Sequence, residues 1–212
     1  MTGIILQREY PIPGGRTTLS TILTTTFHLP IITTRTSTGP EVITVRQTKK
    51  GTLSKLREYY SKSEQELSHH PSHFILGIGQ SSYGGAVHAR KTGTPLIVNL
   101  SDTNYRAAVN RNAPLLPTLI TKYYEKKILS TAKIITVPSP TAQRQLEQDY
   151  PFTIGKVRVI PEAPLPITTK KRTPETPTLL FPRATDRKNV TLLLNSLQFL
   201  QHYRIIILGS KE

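Results

Sequence analysis

Apolar residues gather in short runs along the chain, and most runs are followed by segments whose apolar positions recur at three- and four-residue spacing. The runs Ile4–Leu6, Ile31–Thr34, Val42–Val45, Phe74–Ile78, Leu96–Leu100, Ala132–Val137, Leu179–Phe181 and Ile205–Leu208 predict strands. Leu19, Ile22, Leu23 and Phe27 fit one helix, although the threonines around them lower its propensity. Further helices are predicted over Leu53–Leu67, with Leu53, Leu56, Tyr60 and Leu67 as the inner stripe, over Ser82–Thr92, and over Leu116–Leu129. Ser139-Pro140 opens another, with Ser as N-cap and Pro in the first turn. Val190, Leu193, Leu194, Leu197 and Leu200 make one apolar face of a last helix. Strand–helix–strand with a short first turn is the crossover unit of a parallel sheet. The predicted fold class is therefore α/β: a Rossmann-like doubly wound parallel sheet, followed by the first βαβ unit of a second Rossmann-like domain.

The segment Pro164–Pro177 is rich in proline and threonine, carries the basic run Lys170–Arg172 and has no apolar periodicity. It reads as a linker, with a surface loop of one large domain as the alternative. The expected organisation is a first domain over residues 1–165, a linker over 166–177 and the opening of a second domain over 178–212.

In open parallel sheets, ligands bind at the carboxyl ends of the strands. The turn after Leu179–Phe181 holds Arg183, Asp186, Arg187 and Lys188 beside a helix start. Cations at a positive helix end suit a diphosphate, while a solvated charged loop is the plainer alternative. Gly14-Gly15 follow the first strand and either let a ligand approach the backbone or simply make a turn. Asp102, at the end of Leu96–Leu100, either meets a ligand's polar group or closes an Asx turn. His69, His70 and His73 are interrupted by Pro71, which breaks the rigid spacing a metal site needs, so they read as exposed loop histidines. No metal ligand set is predicted.

Composition narrows the partners. The 28 Lys+Arg against 13 Asp+Glu give a net charge of +15, spread over several pairs and not held in one tail. Such an excess favours phosphorylated substrates, anionic lipid headgroups or nucleic acid, or simply keeps the surface soluble. Aromatics are only 7% and Trp is absent, which leaves few stacking platforms for nucleic acid. With no Cys there is neither a disulfide nor a cysteine nucleophile. No apolar run reaches the roughly 18 residues of a membrane helix, and the first residues lack a signal peptide's apolar core, so a cytoplasmic location is expected.

Several segments resemble, in order, the GT-B retaining glycosyltransferases of the large group 1 family. The strand at Leu179, then Arg183, four spacers, Lys188 and Asn189 are similar to the opening of that family's donor domain, with Pro182 where a Gly is usual. The strand, Gly14-Gly15 and helix are similar to the opening of its first domain. Gly93-Thr94-Pro95, a strand and Asn99–Arg106 follow another family segment, with Ser101 in the place of a His. Glu125, the run Ala132–Ser139, and Lys156–Ile160 with Pro161-Glu162-Ala163 resemble later segments, the last with Glu-Ala replacing Asn-Gly.

The resemblance implies a hexosyltransferase-like enzyme that moves a sugar from a nucleotide-diphosphate sugar to a glycan or lipid-linked acceptor. Arg183 and Lys188 would grip the donor diphosphate, Gly14 and Gly15 would form the donor/acceptor loop, and Asp102 is the catalytic candidate. No other cofactor is implied. A peripheral association with an anionic membrane surface is, with no specific nucleic acid. The family's Glu-x7-Glu motif has no counterpart, so the chain is expected to be an incomplete or truncated form, inactive alone. A basic nucleic-acid-binding α/β protein and another Rossmann-type enzyme, such as an NAD-dependent oxidoreductase or a sugar epimerase, are the alternatives. The Gly-x-Gly-x-x-Gly fingerprint of dinucleotide binding is missing.

Overall fold

The structure, a computed structural model, describes residues 2–7, 15–34, 42–48, 50–161, 177–181, 190–199 and 202–207. The chain divides into two compact units, Met1–Leu165 and Pro166–Glu212.

In the first unit, β1 (Gly3–Leu6), β2 (Ile31–Thr33), β3 (Val42–Thr44), β4 (Phe74–Ile78), β5 (Leu96–Asn99), β6 (Ile134–Val137) and β7 (Val157–Val159) form one sheet in the order β3-β2-β1-β4-β5-β6-β7. Every pair is parallel. Neighbouring side chains on β1 go to opposite faces, Ile4 and Leu6 into one apolar cluster and Ile5 into another. A parallel strand covered on both sides must be apolar at every position, which is why these strands read as unbroken runs. The predicted α/β class, a doubly wound parallel sheet, is the observed one.

The helices are α1 (Gly15–Phe27), α2 (Thr52–His69), α3 (Tyr83–Thr92), α4 (Asn104–Asn110), α5 (Leu115–Thr131) and α6 (Pro140–Asp149). Leu23 of α1 packs into the smaller cluster with Ile5 and Leu76. Residues of α2, α3, α5 and α6 pack into the larger one. Within it Tyr60, Tyr83 and Tyr124 join α2, α3 and α5, with ring centroids 4.8 Å apart for Tyr60–Tyr83 and for Tyr83–Tyr124.

The inner stripe of α2 is wider than the sequence suggested. Tyr60 and Leu67 are buried and Leu56 half-buried, as expected, but Tyr59 and Ser63 are also fully buried. A small residue serves at 63 because Gly84 of α3 lies against it, and the two helices approach closely there. The short helix α4 was not predicted. It has few residues and no buried one, and it is held by the capping described below.

The second unit is a smaller βαβ element. Its strands β8 (Thr178–Phe181) and β9 (Arg204–Ile207) pair in parallel from Thr178↔Arg204 to Phe181↔Ile207. Between them lie α7 (Val190–Ser196) and a 3₁₀ turn, Leu197–Phe199. The apolar face predicted to run from Val190 to Leu200 is not one continuous helix face. The α-helix ends at Ser196, whose hydroxyl donates to the Leu192 carbonyl at 2.8 Å. Leu194 is 52% exposed. Asn195 and Ser196 are poor helix interiors, and a 3₁₀ turn shifts Leu197 off the 3.6-residue stripe.

The α2–α3 contact yields a test. A methyl group at position 84 would lie 2.8 Å from the backbone oxygen of Tyr60, which cannot rotate away, and against the Ser63 hydroxyl. Gly84→Ala should therefore destabilise the chain by about 1–3 kcal/mol, read as a lower urea midpoint. An unchanged midpoint would show that the helices separate without cost.

Candidate functional site

The strand order reverses between β1 and β4: successive strands run outward from β1 through β2 to β3, and from β4 through β5 and β6 to β7. Loops leaving the carboxyl ends of β1 and β4 part to opposite faces there, and the crevice between them is where such sheets take ligands.

At the end of β1, Gln7 is buried and its side-chain oxygen accepts the hydroxyl of Ser20, fastening α1 to the strand. At the end of β4 the chain turns at once, with Gly79 at φ +59°, into a 3₁₀ turn, Gly79–Ser82. The Ser82 hydroxyl donates to the Gly79 carbonyl at 2.7 Å, and Gly77 leaves room for that side chain. At the ends of β5 and β6, Asn99 donates to Thr136 at 3.0 Å.

The loop after β5 is the most heavily held. Thr103 caps α4, its hydroxyl accepting from the Arg106 N–H at 3.2 Å. Glu125 of α5 reaches the same helix end and accepts the N–H groups of Asn104 and Tyr105, the latter at 3.2 Å. Its remaining lone pairs take the Tyr150 hydroxyl at 2.8 Å. A carboxylate on the first N–H groups of a helix satisfies donors that have no partner within the helix and sits favourably at the positive end of its dipole. Glu125 is nonetheless 4% exposed, and burial holds its carboxyl above the ordinary range despite the three donors. Burial and the neighbouring Glu125 carboxylate push the Tyr150 hydroxyl far above its ordinary value, so it remains a donor. Arg106 grips Asp149 through two hydrogen bonds of 2.6 and 2.8 Å, tying α4 to α6. A small cavity of about 10 Å³, room for roughly one water, lies between Gly79, Gln80, Leu100 and Glu125.

Asp102 sits in this braced loop at the carboxyl end of β5. It is half-buried and accepts from the Ser101 hydroxyl at 3.3 Å. Gly15 is the first residue of α1. Gly14, Arg183 and Lys188 lie outside the described residues. The structure thus brings Gly15's helix and Asp102's loop to the same edge of one sheet. Sequence reasoning noted Glu125 only within the resemblance and missed its work, as it missed the Arg106–Asp149 pair. The available signal was that Glu125 is the single acid between Asn104 and Lys133.

The three histidines are exposed, as expected, but His69 closes α2 and does not lie in a loop. His73 Nδ1 accepts from the Thr2 N–H at 3.1 Å, which fastens the start of β1 to that of β4. A cleft of about 290 Å³ opens beside His28, His69 and His70 at the amino edge of the sheet, opposite the loops above. Among the described residues no group of three or more His, Asp or Glu is arranged to hold a metal ion. No described helix is long and apolar enough to cross a membrane.

No family profile matches the sequence, and no curated protein matches it either. Solved structures do match. WaaG, a glycosyltransferase involved in lipopolysaccharide biosynthesis, is similar over 98% of this chain and 63% of its own, with a TM-score of 0.69 and 15% identity. Anabaena Alr3699/HepE, solved in complex with UDP, is similar over 100% of this chain and 70% of its own, with a TM-score of 0.63 and 13% identity. UDP-N-acetylglucosamine 2-epimerase from Rickettsia bellii is similar over 99% of this chain and 62% of its own, with a TM-score of 0.54 and 14% identity. At such identities the likeness shows a shared fold, that of the GT-B proteins. The chain spans less than two thirds of the WaaG and epimerase chains.

The brace predicts a pH effect. Because burial raises the Glu125 pKa in the folded state, its contribution is full below the unfolded value and is lost as pH rises through the raised one. Glu125→Gln should remove that slope, so the stability difference between wild type and variant should shift steadily against wild type as pH rises through the weakly acidic range. Glu125→Ala, which strands the Tyr150 hydroxyl and two N–H groups, should cost about 1.5–3 kcal/mol at low pH, where Glu125 is protonated in both states, and less as pH rises. Parallel stability–pH curves for wild type and Glu125→Gln would show that the carboxyl is not perturbed.

Proposed function

We propose that this chain is the acceptor-side domain and part of the donor domain of a glycosyltransferase that uses a nucleotide-diphosphate sugar. The observation that carries the reading is the likeness of 98% of the chain, spanning both units, to a glycosyltransferase of the GT-B fold. It is supported by the Arg183-x4-Lys188 spacing directly after the apolar strand β8, which opens the smaller unit.

In this reading residues 1–165 carry the acceptor, 166–177 are the linker and 178–212 open the donor domain. Arg183 and Lys188 neutralise the diphosphate as it departs, the charge change a sugar transfer most needs stabilised. The acceptor, a glycan or a lipid-linked sugar, lies by Gly14, Gly15 and Asp102. Asp102 stands on a loop whose helix is capped by Thr103 and Glu125, so its backbone is held in place before substrate arrives. The group 1 retaining assignment rests on the sequence resemblance alone.

A second reading, a nucleotide-sugar epimerase, draws on the likeness to the Rickettsia bellii enzyme. Product analysis separates the two, since an epimerase returns an intact nucleotide sugar and a transferase releases the nucleoside diphosphate. The fold neighbours lend no support to a nucleic-acid-binding role.

Calorimetric titration of the chain with UDP and ADP tests the clamp. Arg183→Ala and Lys188→Ala should each weaken nucleoside diphosphate binding by about 1.5–3 kcal/mol, the range for hydrogen bonds to charged groups. Arg187→Ala, in the same charged turn but off the family position, should stay near wild type. Equal losses at all three would indicate a diffuse basic field, and no loss at Arg183 or Lys188 would remove the reading's support. The linker assignment has its own check. Limited proteolysis should cut between Pro166 and Pro177 and leave a stable amino-terminal fragment, and protection of that stretch would count against it.

A further inference from the structure

The strand reversal that opens a crevice at the carboxyl edge has a counterpart at the amino edge. Helix α1 returns to β2 over one face of the sheet and α2 returns to β4 over the other, and the loops that follow them flank the start of β1. The cleft of about 290 Å³ noted above lies between those loops. Small-molecule sites run from roughly 300 to 1,000 Å³, so an occupant of this one is small.

Its walls are of two kinds. Ile4 and Leu29, both buried, line it together with Phe27, which is 63% exposed. The imidazoles of His28, His69 and His70 also line it, and all three residues are exposed. Half of the chain's six histidines therefore meet at one cleft.

Charge narrows the ligand. The chain holds 28 Lys+Arg, yet none is among the described residues that line the cleft. Helices α1 and α2 both end there, at Phe27 and His69, and neither has a Lys or Arg in its last turn. The carboxyl end of a helix is the negative pole of its dipole and holds carbonyls with no partner inside the helix. Glu66 adds to the same field, with its Oε2 3.9 Å from His70 Nε2. A neutral imidazole presents one ring nitrogen as an acceptor. The cleft thus combines acceptors, a negative field and an aromatic face, which complements an organic cation and repels a phosphate or carboxylate. Among the described residues no three such side chains converge as a metal ion requires, whereas an ammonium group can combine imidazoles with carbonyls.

The backbone supplies an independent mark. His28 follows α1 at φ +52°, in the left-handed region where glycine ordinarily ends a helix. A residue with a Cβ is disfavoured there. Stability alone favours glycine at 28, so a ring kept in that conformation beside a cleft points to a use for the ring.

We propose that this cleft binds a small primary ammonium compound with an apolar body. The ammonium group donates to His28 and to the imidazoles and carbonyls at the end of α2, and the apolar body lies against Phe27 and Leu29. The site is at the opposite edge of the sheet from Asp102, and it does not rest on the glycosyltransferase reading.

NMR of the histidine rings in the full chain tests it, with phenethylammonium as the probe. Phenylacetate and phenethyl alcohol, of similar shape, are the controls for charge. At about pH 8 the probe should shift the ring signals of His28, His69 and His70 saturably, and leave unmoved that of His88, which is buried on α3. Both controls should bind about tenfold more weakly or worse. Acidification to about pH 5.5 should weaken the probe, because a protonated imidazole donates and repels a cation. Phe27→Ala should raise the Kd about fivefold. His28→Gly should raise it about tenfold without lowering the urea midpoint, since glycine suits the backbone there. A histidine with a merely structural role would not separate binding from stability in this way. Phe27→Ala stands even if His28→Gly folds poorly. Four results would each overturn the proposal: phenylacetate binding as tightly as the probe, tighter probe binding in acid, an unchanged Kd in a folded Phe27→Ala variant, or zinc binding at these rings with no amine binding. UDP titration keeps the two readings apart. Lost amine binding with intact UDP binding bears on this cleft alone, and lost UDP binding in the Arg183 and Lys188 variants bears on the donor clamp alone.

Discussion

A strand in a parallel sheet cannot return to its neighbour by a tight turn, so every step across this sheet demands a crossover that covers a face. That demand explains most of the first unit. Because both faces are covered, β1 must be apolar at successive positions, and Ile4, Ile5 and Leu6 are all essentially inaccessible to water. Because crossovers are right-handed, strands that run outward in opposite directions from β1 and β4 put their helices on opposite faces. The crevice at the carboxyl edge is then a by-product of topology. It exists before any residue is placed in it.

What the topology does not supply is a rigid loop, and here Glu125 does the necessary work. A short helix such as α4 nucleates poorly alone and buries no residue of its own. Four contacts hold it instead: the Thr103 cap, the two N–H groups on Glu125, and the Arg106–Asp149 fork to α6. Burying a carboxyl is unfavourable, as the upward pull on its pKa records, and three donors offset that only in part. A carboxyl held at such a cost, under the loop that carries Asp102 at the carboxyl edge of the sheet, fits a requirement for a fixed loop better than a requirement for stability alone.

The legible part of the chain was the part governed by period and burial. Phe74–Ile78 was read to the residue, and the other described strands to within about two residues at either end except β7, which was not predicted as a strand, because unbroken apolar runs have one stable home in an α/β fold. Helix α4 was missed because its only local signal is the Thr103 cap, and the rest of its support comes from residues 125 and 149, far along the chain. Ser63 looked polar and therefore outward, yet it is buried because Gly84 brings a second helix against it. The face of α7 was overread: its leucines have the right spacing, but Asn195 and Ser196 interrupt the helix before Leu197 can join the stripe. Of the candidate site, Asp102 and Gly15 fall on the predicted edge. The Arg183 and Lys188 assignment remains an argument from spacing.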